Sequence, residues 1–520
     1  MNRFSAVVLL AGALLLLPSC GTVPAEHSET VTVAIESGPE NLDPRVGTDA
    51  QSERISQLLF NSLVRRNAQS QLEPDLAASW ETPDPLTYVF HLRNGVTFHD
   101  GRPFTANDVV FTFRSVIDGS LLTPKTGVYK QMIAAVEARG PSTVVFTLKA
   151  PFAPFLWNLS RGAIGIVPEG AGEDFQQRLI GTGPFRFVRY TLDDEVVIER
   201  NDAYYGRKPN VRRARFRIIP EAIVTALELR KGSLDMAENA LSADMVESLR
   251  GDKNLRIAEA PGTIYQYIAF NLRDPVFSDL RVRQAIAHAI DRESIVKHLL
   301  RGRARLATGA IPPNNWAYAA DVPAYPYDPG KARRLLAEAG HPDLAFTYRT
   351  STDEYVRLLA AVIGQQLREV GIRMEIRSNE FSTFLDDVRR GNFQMYSLRW
   401  VGDNNDPDIF NRIFHSKMTP PNGANRGFFS NPEVDRLIEE ARAAGGTDER
   451  KQAYAEIQRI AARELPYISL WHIDNVCVFN RRISGLKLYP AGDYDFLIDI
   501  RIDEASSMTD LHGEDRADQN

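Results

Sequence analysis

The run Ser397-Leu398-Arg399-Trp400-Val401-Gly402-Asp403-Asn404-Asn405-Asp406-Pro407-Asp408 ends an apolar strand in a turn carrying three carboxylates and two amides. A strand that leaves the core at a Gly-Asp-Asn turn sets acceptor groups at the mouth of a cleft, where they meet a cationic ligand group. The alternative is a solvated turn held by its own Asx side chains. Calcium fits poorly, because Pro407 and Asp408 stand where an EF-hand-like loop needs its fifth ligand and its glycine. Catalytic constellations are missing: there is no Gly-x-Ser-x-Gly elbow, no His-Glu-x-x-His, no phosphate loop with Lys-Ser or Lys-Thr and no Cys-x-x-Cys. Gly181-Thr182-Gly183 is followed by Pro184 and a strand rather than a helix, which argues against a dinucleotide site. His91, His99 and His472 fit strand-surface, turn and crossover positions better than metal ligation. No cofactor is expected.

These groups need a frame, and 520 residues call for two or three packed domains. A hydrophobic fraction of 43% with 25% charged residues is ordinary globular composition, and the formal charge of -6 offers no basic surface for nucleic acid. Arg3, the apolar stretch from Ala6 to Leu17 and then Leu17-Pro18-Ser19-Cys20 read as an export signal. The tetrapeptide resembles a bacterial lipobox, with Pro18 as a departure from the usual small residue. That resemblance makes Cys20 the lipidated first residue of a membrane-tethered mature protein; ordinary cleavage to a soluble form is the alternative. Cys477, the only other cysteine, then has no partner in the chain and reads as a buried structural thiol.

Along the chain, Val31, Val33 and Ile35 alternate as a strand ended by the turn Ser37-Gly38-Pro39-Glu40, and a helical stripe follows through Ile55, Leu58, Leu59 and Leu63. Residues 76 to 116 change texture to short strands and tight turns at Asn94-Gly95 and Asp100-Gly101, before a helix capped by Thr105 with Asp108 three residues on. Arg213, Arg215 and Arg217 alternate with apolar residues, which predicts a solvated edge strand. Ser278 is expected to cap a helix carrying Val282, Ile286 and Ala289, and Asp291 a second one. Trp316, in a proline-rich loop, either lines a ligand pocket or anchors its loop. A βαβ unit follows: a strand at 346–349, a helix capped by Asp353 and a strand through Ile372, Met374 and Ile376. The strand from Met395 then emits the opening run, so Asp403 falls just past the carboxyl end of a strand in an open α/β sheet, the edge where such folds bind ligands. Beyond Asp503 a polar, disordered tail is expected.

Leu76-Ala77-Ala78-Ser79-Trp80 and Tyr88-Val89-Phe90-His91-Leu92-Arg93-Asn94-Gly95-Val96-Thr97-Phe98-His99-Asp100-Gly101-Arg102-Pro103-Phe104-Thr105-Ala106-Asn107-Asp108-Val109 resemble the signature of the bacterial extracellular solute-binding proteins of the dipeptide, oligopeptide and nickel family. Val282-Arg283-Gln284-Ala285-Ile286-Ala287-His288-Ala289-Ile290-Asp291-Arg292 and Ile311-Pro312-Pro313-Asn314-Asn315-Trp316 carry the same likeness. The resemblance implies an α/β, bilobed periplasmic-binding-protein-like type II fold with an additional third domain. It also implies delivery of a bound solute to ABC importer permease subunits, without catalysis. The expected division is a leader at 1–20, lobe I at 30–65 plus 186–265 plus 471–505, the additional domain II at 66–185, lobe III at 266–470 and a tail at 506–520.

In peptide-binding members a Trp-x-x-Asp turn supplies the carboxylate for the peptide's α-ammonium, and its spacing carries over to Trp400 and Asp403, with Gly402 in the turn. Backbone amides near Ser37 and Gly38 are expected to hold the peptide chain. Dipeptide-specific members carry an arginine where a gapless count puts Thr350, with Arg349 one residue off; on a strand that shift turns the side chain to the other face. Dipeptide specificity is therefore open. The expectation is a monomeric, lipid-anchored, extracytoplasmic binder of short peptides, the alternatives being a metal-chelate or other cationic solute on the same fold, or an enzyme or chaperone.

Overall fold

Two long strands, Leu255–Phe270 and Tyr467–Asn480, run antiparallel through the centre of an 11-stranded mixed sheet and belong to both of its halves. The computed structural model describes residues 29–67, 71–160, 162–401 and 406–503. Valine, isoleucine, tyrosine, phenylalanine and tryptophan, the residues that fill a pleated surface well, supply half of the 14 residues of the Tyr467–Asn480 strand. Their register breaks between Ala260 and Ile264, where Pro261-Gly262-Thr263 bulges out of the ladder. Gly262 is obligatory there, since a Cβ would sit 2.3 Å from the Ile473 carbonyl oxygen. The bulge divides the sheet.

On one side, Thr30–Ile35 lies parallel to both Arg213–Ile218 and Met236–Glu238, and the latter pairs with the late end of the Tyr467–Asn480 strand. Val31 and Val33 enter one core with Leu58 and Phe216, while Ala34 enters another with Leu229 and Val478. Both faces are therefore covered, as expected for parallel strands. The expected edge strand is an interior one: Arg213–Ile218 pairs with Thr30–Ile35 on one side and with Glu195–Arg200 on the other. The arginine alternation reports a half-exposed face of an interior strand. There Glu195 is bracketed by Arg189 and Arg215, and Arg217 meets Glu228 at 3.2 Å.

On the other side, Ala345–Ser351 lies parallel to Arg373–Asn379 and to Met395–Trp400, which pairs antiparallel with the second half of Leu255–Phe270. Asp353 caps the helix Glu354–Glu369 by accepting from the Val356 N–H at 3.1 Å, and Leu359, Ala360, Ile363 and Leu367 form its buried stripe. A second correction concerns Ser278. The helix Leu280–Ala289 is capped by Asp279, because Ser278 closes a separate one-turn helix and spends its hydroxyl on the Pro275 carbonyl.

A third region folds on its own four antiparallel strands, ordered Ala77–Asp84, Thr87–Leu92, Thr143–Leu148 and Ile133–Ala138. Against them packs the helix Ala106–Ile117, whose capping box is formed by Thr105 and Asp108. Phe90 and Phe113 meet Phe146 edge-on at the heart of this core. The chain returns to the first half through Gly183, where a Cβ would lie 2.4 Å from the Leu59 carbonyl carbon. The Gly-Thr-Gly-Pro stretch is thus a close crossing of backbones, with the Gly183 N–H donating to the Leu59 carbonyl at 2.9 Å.

Candidate functional site

The strand Met395–Trp400 is held on both sides, and it delivers Val401, 44% exposed, to the surface of a cavity of about 590 Å³. Gly402 and Asp403, singled out in the sequence, lie outside the described residues, as do Cys20 and the tail from residue 504. The chain re-enters the description at Asp406, which lines the same cavity with Asp408 and Arg412. Glu53, Arg54 and Asp493 from the first half of the sheet, with Lys125 and Trp157 from the third region, form the other walls. All three regions therefore meet there, and the size lies in the ordinary range for ligand pockets, about 300–1,000 Å³.

Asp406 and Asp408, from the same carboxylate run, are turn and helix-start residues that also carry ion pairs the sequence does not announce. Asp406 pairs with Arg450 at 3.4 Å, both largely removed from solvent, and Asp408 with Arg442 at 2.9 Å, where the arginine is 33% exposed. Burial pushes the Asp408 carboxyl up to about 7, with Arg442 opposing the shift and Asp406 adding to it. Asp406 is raised by burial too, against the pull of Arg450. Its Oδ1 also accepts from the Asp408 N–H at 2.7 Å, which fixes the turn into the helix Ile409–Phe414.

Both tryptophans act through arginines. Trp400 is 9% exposed and lies beneath two guanidinium groups, Arg412 at 5.5 Å and Arg426 at 5.6 Å from its ring centre. Arg412 lines the cavity; Trp400 supports it from behind. Trp316 packs edge-on against Tyr454 of the helix Thr447–Glu464 and lies under Arg450, the partner of Asp406. It anchors its proline-rich loop and, through Arg450, the segment after residue 405.

Ser37 is exposed and Gly38 half-buried just past the Thr30–Ile35 strand. Gly38 is needed for close approach, since a Cβ would meet the Tyr190 hydroxyl at 2.8 Å and Ile218 at 2.9 Å; that hydroxyl donates to the Pro39 carbonyl. The neighbouring Glu36 is raised by desolvation, lowered by Arg399 and raised by Asp353, so this turn faces the second half of the sheet. Among the described residues, Ser37, Gly38, Trp316 and Trp400 are not part of the cavity lining. Arg349 spends its guanidinium on Asp387 at 3.0 Å and Asn379 at 3.1 Å, while Thr350 is buried.

The remaining titratable candidates have internal roles. His99 accepts from the Gly181 N–H and lies 3.1 Å from the Gly183 carbonyl, and burial lowers it to about 4. Burial also lowers His472 to about 4. His91 pairs with Glu81 on the surface. Buried Cys477 has its thiol pushed well up by desolvation and by Glu238, which makes it unreactive. Among the described residues there is no group of three or more side chains able to hold a metal ion, and no helix long and apolar enough to cross a membrane.

A cavity where two halves of one sheet, joined by a pair of shared strands, meet a third region is the architecture of a solute-binding protein. Residues 71–419 match the family described as bacterial extracellular solute-binding proteins, family 5. The probable di/tripeptide-binding protein 5 of Pseudomonas aeruginosa is 32% identical over 519 residues, spanning 94% of this chain and 98% of that one. The periplasmic binding protein DppA from Helicobacter pylori, solved with the peptide STSA, superposes with a TM-score of 0.79 at 27% identity over 92% of this chain and 99% of its own. NikZ from Campylobacter jejuni, solved with Ni(L-His), gives a TM-score of 0.79 at 28% identity over 91% and 99%. The chain belongs to family 5 of the bacterial extracellular solute-binding proteins, and its fold is the bilobed α/β type II periplasmic-binding-protein fold with an additional domain.

Proposed function

We propose that this chain captures short peptides in the cavity between its lobes and passes them to the membrane subunits of an ABC importer. The observation that carries this reading is the cavity of about 590 Å³ into which the Met395–Trp400 strand delivers its carboxyl end, lined by side chains of both charges from all three regions. The peptide-binding relatives support the ligand class. Asp403 is the proposed acceptor for the peptide α-ammonium, with Gly402 shaping its turn, Trp400 backing the wall, Trp316 bracing it, and the amides near Ser37 and Gly38 holding backbone. The reading includes lobes divided as the sequence suggests, at 65/66, 185/186, 265/266 and 470/471, a cleaved leader, a lipid on Cys20 and a monomer without catalytic activity. The separate cores of the two sheet halves and of the third region support that division.

Native mass spectrometry of gently purified protein tests the ligand class, with retained peptide expected. Titration calorimetry with trialanine then tests the residue. A charge-assisted hydrogen bond in a poorly hydrated cleft contributes about 1.5–3 kcal/mol, so Asp403→Ala is expected to weaken binding by about 10- to 100-fold; unchanged affinity removes Asp403 from the site. A second reading, a metal chelate carried on its own organic ligands, is favoured by the likeness to NikZ with Ni(L-His). Elemental analysis of the purified protein separates the two.

A further inference from the structure

The cavity has a cationic wall opposite in chemistry to the carboxylates after residue 405. Lys125, 9% exposed, lines it from the third region. Its ammonium donates to the Pro44 carbonyl at 2.8 Å and to the Ala163 carbonyl at 2.8 Å. An ammonium has three N–H donors, and two carbonyls leave its unit charge uncompensated. Among the described residues, no carboxylate lies within ion-pair distance of it; Glu53 and Asp43 act on it only through space. By contrast, Arg442 and Arg450 each have a carboxylate against them, and Arg412 lies over the Trp400 ring.

Next to Lys125 the backbone itself makes room. Gly162 has φ +94°, and a Cβ there would lie 2.9 Å from the Gln57 Nε2 and 3.2 Å from the Arg66 Nη2. Gln57, Arg66, Gly162 and Lys125 all line the cavity. N–H groups from three separate stretches thus converge about Gly162-Ala163, where the positive φ of Gly162 makes a side chain strained. The arrangement suits a planar anion, which two or more donors can share.

We propose that this wall receives the carboxylate terminus of the bound peptide, with Lys125 as its charge partner and Arg66 and Gln57 as flanking donors. The inference rests on the peptide reading above and gives the ligand a direction: ammonium end toward the carboxyl end of the Met395–Trp400 strand, carboxylate end toward the third region. It also selects free peptide acids over amidated or esterified ones. Lys125 as a mere staple between Pro44 and Ala163 would stabilise the fold and show no such selection.

Calorimetry with trialanine, trialanine C-terminal amide and N-acetyl-trialanine tests it on wild type, Lys125→Met and Lys125→Arg, after thermal unfolding confirms that each variant is folded. Wild type is expected to lose about 10- to 100-fold in affinity on amidation, the size of one charge-assisted contact in a dry site. Lys125→Met is expected to bind acid and amide within about two-fold of each other, and Lys125→Arg to restore much of the preference. An amidation penalty that is absent in wild type, or intact in Lys125→Met, overturns the inference. The first of these comparisons needs no variant, and Lys125→Gln replaces Lys125→Met where the latter fails to fold. The acetylated peptide keeps the two readings apart: a wild type indifferent to acetylation defeats the ammonium site at Asp403, whatever Lys125 does. Trialanine that fails to bind wild type in any form defeats the peptide class and this inference together.

Discussion

Two walls of the same cavity handle charge in opposite ways. On the wall that carries residues 406–412, Asp406 and Asp408 each face an arginine from a later helix, and each pair is made within the protein. On the third-region wall, Lys125 is hydrogen-bonded among the described residues by carbonyl oxygens, and on the reading proposed above its charge serves a ligand that arrives from solvent. A charge cancelled in place builds the wall, and one left over selects what fills it. Position in the cavity alone does not separate the two. Identity of the partner does.

The comparison breaks most visibly at Arg450. Removing one member of a buried pair leaves the other charged and unsolvated, at about 3–5 kcal/mol, and Arg450 also spans Trp316 and Tyr454. Arg450→Met is therefore expected to destabilise the protein by about 3 kcal/mol in urea unfolding; a loss under 1 kcal/mol would show that the pair is not what holds the wall.

A second, smaller effect is read by pH. The folded-state value for Asp408, about 7, lies above its unfolded value near 4, so its contribution to stability is fully present below pH 4 and lost as pH rises through 7. Asp408→Asn is expected to flatten the stability profile between pH 4 and 7, by on the order of 1–2 kcal/mol after allowance for its partial solvent contact. Parallel profiles of variant and wild type would argue that Asp408 ionises normally.

The smallest effect belongs to a charge outside the cavity. Arg250 pairs with Glu247 and Glu259 at the exposed rim of a cluster whose buried cation is Arg303, so Glu247 and Glu259 keep a partner without it, and such exposed pairs contribute about 0–1 kcal/mol. Arg250→Gln is expected to shift the urea midpoint within error, and a shift rivalling Arg450→Met would erase the distinction between closed and surface pairs.

Much of the frame was legible because its signals are local. Asn94-Gly95 and the Thr105 and Asp108 capping box declare the third region within a few residues, and the stripe from Leu359 to Leu367 declares its helix. The interior position of Arg213–Ile218 was not legible, since the strand that covers its far side, Thr30–Ile35, lies at the other end of that lobe's sequence. The arginine partners of Asp406 and Asp408 were hidden for the same reason: Arg450 stands 44 residues after Asp406 on a different helix, and nothing in the turn announces it. Lys125 gives no sequence signal either. Its meaning depends on Pro44 and Ala163, one from each of two regions that meet only when folded.

The pair of shared central strands has a consequence for the order in which this protein can be made. Met236–Glu238 closes its half of the sheet only against residues 477–479, and Tyr265–Phe270 finishes the other half only against residues 467–472. Neither lobe is complete until the last tenth of the chain has been synthesised. Such distant pairing slows folding, so both halves of the large sheet stay open until then, while the third region, with a sheet and core of its own, can close earlier.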